Sequence, residues 1–94
     1  MKLSYKRNIK PGKEPGWLID LTYEVMKEFE KRELKEEDYD TVFDYISSTA
    51  NTIMATDTHI RSVISVYRLG ETAGGKYPIF IARNGTLIQT FYIS

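Results

Sequence analysis

Asn84-Gly85 constrains this chain more than any other pair of residues. Both central positions of a two-residue type I′ hairpin need a positive φ, which Asn and Gly tolerate and most residues resist. The pair separates two runs rich in β-branched and aromatic residues, Tyr77–Arg83 and Thr86–Ile93. The spacing predicts an antiparallel hairpin with a fixed register. Arg83 is expected opposite Thr86, Ile81 opposite Ile88, Ile79 opposite Thr90 and Tyr77 opposite Tyr92. Pro78, Phe80, Ala82, Leu87, Phe91 and Ile93 then share the other face. Both faces read as largely apolar, whereas a sheet wetted on one side alternates cleanly. One face is expected against helices. The other needs cover from the N-terminal arm, a partner or another copy of the chain.

The residues before the hairpin supply the helices. Tyr39, Val42, Phe43, Ile46, Ala50, Ile53 and Met54 recur at i, i+3, i+4, i+7 spacing, predicting a helix from Glu36 to about Ala55. Glu36, Glu37 and Asp38 stand where a helix N-terminus favours negative charge. A second apolar stripe of Leu18, Leu21, Val25 and Phe29 predicts a helix over Trp17–Glu33. Asp20 is read in its first turn, and Lys31 and Arg32 in its last. The short gap between the two implies a helical hairpin. Lys2–Ile9 alternates as a half-buried edge strand, and Lys10–Gly16 is a Pro- and Gly-rich loop. Ile60–Leu69 reads as a further strand, followed by a Gly-rich loop over Gly70–Lys76. The order is β-α-α-β-β-β. The expected fold class is α+β, a helical hairpin on a three- to four-stranded antiparallel sheet, in a single domain over 1–94. Leu21, Val25, Phe29, Val42, Phe43, Ile46 and Ile53 are expected in the core.

Composition removes several function classes. A chain of 94 residues without cysteine has no disulfide framework, no thiolate metal site and no cysteine nucleophile. Met1–Ile9 lacks the apolar stretch of a secretory signal, and no run approaches a membrane span, so a cytoplasmic, membrane-free protein is expected. The net charge is zero but segregated. Residues 1–13 hold five basic and no acidic side chains, 14–44 hold eleven acidic and four basic, and 45–94 hold four basic and two acidic. Such a chain is dipolar, and its neutrality argues against a general nucleic-acid binder.

The candidate motifs each have a plain structural reading. Gly70–Lys76 has the spacing of a phosphate loop, but Tyr77 replaces the Ser or Thr that would bind magnesium and a β-rich run replaces the helix. A Gly-rich backbone ending in Lys76 still suits an anion. His59, the single histidine, follows Asp57 and Thr58 in a turn; acid–base work there is the sharper alternative. Asp20, Glu24 and Glu28, like Asp40 and Asp44, form carboxylate rows that read as solvated helix faces. Trp17 is either a core plug or an exposed anchor. Asn84-Gly85-Thr86 is formally a glycosylation acceptor and reads as a turn. The best functional cluster is basic and aromatic: Arg61, Arg68, Lys76, Tyr77, Arg83 and Tyr92, with Tyr67, on the β-rich half. Such residues on a sheet hold phosphates and stack bases.

The order of elements resembles that of the RelE/ParE family of bacterial toxins, over nearly the whole chain and as topology. That resemblance implies an endoribonuclease in which Arg61, Arg68, Arg83 and Tyr92, with His59, act on a phosphodiester. The residues themselves point first to a small non-catalytic binding module, without cofactor or metal. It is expected to be homo-oligomeric and to sequester or inhibit a protein partner or a small anionic, nucleotide-like ligand. The acidic residues 14–44 offer a third reading, a docking face for a basic partner.

Overall fold

The hairpin forms at Asn84-Gly85 because those two residues accept what the turn demands, φ of 50° and 81°. The side chain of Asn84 has a second task. Its Oδ1 accepts the Val63 N–H at 2.9 Å, while its own N–H donates to the Val63 carbonyl at 2.8 Å. The turn is thereby clamped to the chain entering the neighbouring strand.

The computed structural model describes residues 1–94 throughout. Its elements are β1 (Leu3–Arg7), α1 (Gly16–Phe29), a 3-10 turn (Glu36–Asp38), α2 (Tyr39–Thr56), β2 (Ile64–Arg68), β3 (Tyr77–Arg83) and β4 (Thr86–Ile93). The four strands make one antiparallel sheet in the order β1-β4-β3-β2. The class is α+β in the order expected, and β3 and β4 have the expected bounds. β1 pairs with β4, so the two ends of the chain lie side by side, with Leu3 opposite Ile93.

The register departs from strict alternation after two residues. Arg83 faces Thr86 and Ala82 faces Leu87, but Ile81 faces Gln89, Ile79 faces Phe91 and Tyr77 faces Ile93. Ile88 is the extra residue of a β-bulge. A tight turn specifies only the pairs next to it, and a bulge adds one residue to one strand and re-aims those beyond. Here it brings Gln89 and Phe91 to the face that carries Ile79 and Ile81. The pairings expected for Ile88, Thr90 and Tyr92 are corrected accordingly.

Both helices lie on that face. Leu18, Leu21 and Val25 of α1 and Val42, Ile46 and Ala50 of α2 form one core with Leu3, Ile79, Ile81, Ile88, Phe91 and Ile93. Each fully buried Leu, Ile, Val or Phe contributes about 1.5–3 kcal/mol of transfer free energy. Of the expected core, Phe43 and Ile53 are only half-buried and pack against its edge. Trp17 is buried, a core plug at the start of α1.

Helix ends differ from the sequence reading by physical causes. α1 stops at Phe29 rather than Glu33. Leu34 must turn back into the core, where its N–H donates to the Met1 carbonyl at 2.7 Å. Lys31 and Arg32 therefore lie beyond the helix, and Asp20 lies past its first turn, which carries no acid. Arg32 still pairs with Glu28. Residues 36–38 are a 3-10 entry to α2, with the Lys35 N–H donating to the Asp38 carboxylate at 2.8 Å. β2 begins only at Ile64, after a turn over residues 57–59 in which Asp57 Oδ1 accepts the His59 N–H at 2.9 Å. No helix is long and apolar enough to cross a membrane.

Candidate functional site

The second face of the sheet has no helix on it. Tyr67, Phe80, Ala82, Leu87 and Tyr92 all stand outside the core cluster. One row of side chains crosses this face through all four strands: Lys6 opposite Thr90, Thr90 opposite Phe80, Phe80 opposite Tyr67. The next row is Ser4, Tyr92 and Pro78. The rings of Tyr67 and Phe80 stack with centroids 5.1 Å apart. The Lys76 ammonium sits over the Tyr92 ring at 5.1 Å. Thr90 is buried among these larger neighbours. None of the clefts on the surface includes these side chains, so the face is open and holds no pocket.

Charge follows the layers. The four strands contain no Asp or Glu, but hold Lys6, Arg7, Arg68 and Arg83, with Lys76 directly before β3. The acids sit on the helices and loops. The dipole legible along the chain thus becomes a dipole across the fold, with an acidic helical layer and a basic sheet layer. Arg7, Arg68 and Arg83 stand on the helical side of the sheet, so Lys6 and Lys76 are the cations that an approaching polyanion meets on the open face.

The six ligand-binding residues singled out in the sequence do not form one site. Lys76 and Tyr92 meet on the open face. Tyr77 is buried on the helical side, edge-on to Tyr39 at 5.3 Å. Burial, reinforced by the carboxylates of Glu36 and Glu71, pushes its phenol up to about 12. Tyr39 donates its O–H to the Pro78 carbonyl, and burial raises its phenol as well. Arg68 is also on the helical side, paired with Asp40 and packed over the Phe43 ring at 4.5 Å. Its role there is to tie β2 to α2.

Arg61 and Arg83 line a cleft of about 440 Å³ at the start of α1, with His59, Trp17, Asp20 and Asp57. His59 is almost wholly exposed, its Nδ1 3.5 Å from Asp57 Oδ1. Two carboxylates thus accompany the two arginines. The Gly-rich loop is a hairpin connection. Thr72 N–H donates to the Lys76 carbonyl at 2.8 Å, and a strand follows.

Lys6 and Phe80 join the site although no motif in the sequence marks them. Alternation groups Phe80 with Pro78, Ala82 and Leu87, as the structure does, but also with Phe91 and Ile93, which the bulge turns to the helices, and it does not say which face the helices cover. Lys6 becomes the row neighbour of Phe80 only through the pairing of β1 with β4, which no local signal encodes.

No protein-family model matches the chain, and no curated protein or solved structure matches it either.

Proposed function

We propose that this chain is a non-catalytic binding module whose open sheet face takes a base-bearing polyanion, a single strand of RNA or DNA. The observation that carries this is the row Lys6, Thr90, Phe80, Tyr67, with Tyr92 and Lys76 beside it, on a sheet without a single carboxylate. An open aromatic platform suits successive bases, each worth about 1–3 kcal/mol of stacking. An enclosed small molecule needs concavity that this face lacks. Self-association through the same face is opposed by its charge, since Lys6 and Lys76 of two copies would meet without acidic partners.

The test is fluorescence anisotropy with a labelled single-stranded oligonucleotide over a salt series. Two phosphate contacts, from Lys6 and Lys76, give a log–log salt slope of about −1.4. Phe80→Ala is expected to weaken binding at least about fivefold, the lower end for one lost stack. Binding unchanged by Phe80→Ala, or absent at low salt, refutes the proposal. Recovery of the oligonucleotide uncut separates binding from the endoribonuclease reading. That second reading has His59, Arg61 and Arg83 in one cleft in its favour. Arg68 and Tyr92, its other residues, are respectively tied to Asp40 and on the opposite face.

A further inference from the structure

The core contains one chain of polar side chains, and it ends at an arginine. Thr22 Oγ1 donates to the Leu18 carbonyl at 2.8 Å. Gln89 Nε2 donates to Thr22 Oγ1 at 2.8 Å. Arg7 Nε donates to Gln89 Oε1 at 3.0 Å. Gln89 is 0% exposed and Thr22 5%. Each donor in the chain fixes the next acceptor, so the Gln89 amide has one orientation. Reversed, its NH2 would face the Arg7 N–H, donor against donor.

This chain depends on the bulge. If Ile88 took an ordinary place in the ladder, strict alternation would set Gln89 opposite Phe80 on the open face. With it, Gln89 points inward to Thr22 and presents its oxygen to Arg7. Bulges are enriched where a strand must re-aim a side chain for function. A leucine and a valine would fill the same space without any need for partners.

The beneficiary is Arg7. Its Nε is engaged, and its guanidinium lies over the Tyr5 ring at 5.5 Å. It forms no ion pair, although half-buried. Its four remaining N–H donors belong to the two Nη atoms, a fork that matches an oxyanion. Around it is an open cleft of about 420 Å³ between β1 and α1. Tyr5, Ile19, Tyr23 and Met26 make its apolar walls. Lys27 and Glu30 stand at its lining too, and Lys27 Nζ lies 5.9 Å from the Tyr23 ring centroid. The two cations outnumber the one carboxylate.

We infer that the cleft between α1 and β1 is a binding site for a small molecule carrying an oxyanion on a planar aromatic body. The Arg7 fork takes the carboxylate or phosphate, and the tyrosine-lined walls take the ring. Gln89 and Thr22 are positioning residues that hold the fork in place. The cleft volume falls in the range of small-molecule sites. This inference stands on a different face of the sheet from the nucleic-acid surface, and either can fail alone.

The experiment is an NMR titration of the labelled chain with adenosine monophosphate and, separately, indole acetate. Adenosine and indole serve as the uncharged counterparts. Saturable shifts are expected at Tyr5, Arg7, Thr22 and Tyr23 with at least one charged probe, and its counterpart is expected about tenfold weaker or worse. Arg7→Gln is expected to remove that difference, and so is Arg7→Lys in large part, since an ammonium lacks the fork. The double variant Thr22→Val/Gln89→Leu keeps the fold and loses affinity, because Arg7 loses its anchor. If Gln89 and Thr22 served stability alone, that variant would bind as the parent does, which would overturn the positioning role. The whole inference is overturned if neither charged probe shifts these residues, or if the charged and uncharged probes bind equally.

Discussion

Replacing Thr22 by Val tests whether the buried polar chain is a connected unit. The two side chains have nearly the same volume, so packing is conserved and only the hydroxyl is lost. The loss removes the hydrogen bond to the Leu18 carbonyl and the acceptor for Gln89 Nε2. The Leu18 carbonyl keeps its place in the helix. Gln89, fully buried, is left with a donor that water does not reach. Such a group costs about 1–3 kcal/mol. Gln89→Leu is milder, at about 0.5–1.5 kcal/mol, because Thr22 keeps its bond to Leu18 and the half-exposed Arg7 is solvated. The double variant has no stranded group and is expected within about 1 kcal/mol of the parent, a coupling of about 1–2 kcal/mol between neighbours. Urea unfolding followed by circular dichroism measures all four proteins. Each kcal/mol moves Tm by about 4–8 °C in a domain of this size. A Thr22→Val variant within about 0.3 kcal/mol of the parent, or strictly additive effects, would refute the reasoning.

Three further outcomes are expected. Phe91→Ala empties the centre of the sheet's helical face, where Phe91 is 0% exposed, and costs about 3–5 kcal/mol in the same unfolding assay. Gly85→Ala forces a side chain into φ 81° and costs about 1 kcal/mol or more, although nothing crowds the site; no loss would mean that the turn relaxes to another type. Tyr77 stays protonated in the folded chain to about 12, while the unfolded phenol ionises near ~10. Its contribution is therefore complete below about pH 10 and is lost as pH rises toward 12. Tyr77→Phe is expected to flatten that alkaline decline, read as Tm against pH.

Local signals carried most of the fold. The i, i+3, i+4 stripes gave both helices, and Asn84-Gly85 gave β3 and β4 to the residue. What failed were features set at a distance. The bulge at Ile88 answers to the packing of Gln89 against Thr22, on an element far away in the chain, so turn chemistry has no knowledge of it. The end of α1 is set by Leu34 reaching the core beside β1. The site was legible in kind, basic and aromatic residues on a sheet, but not in membership. Alternation does not say which face the helices will cover, and the bulge at Ile88 parts Tyr77 from Tyr92, which strict register sets on one face; Tyr77 and Arg68 therefore lie inward while Lys76 and Tyr92 lie outside. In the sequence Arg7 is one of the five basic residues of the first thirteen, with nothing to set it apart. That it sits at the head of a buried chain is visible only once β1 lies beside β4.

The most direct measurement of the central claim is an NMR titration of the labelled chain with single-stranded RNA, mapped residue by residue. Shifts are expected to gather on Lys6, Tyr67, Phe80, Thr90 and Tyr92, with the exposed faces of α1 and α2 silent. Shifts confined to the helices, or none at low salt, would contradict it.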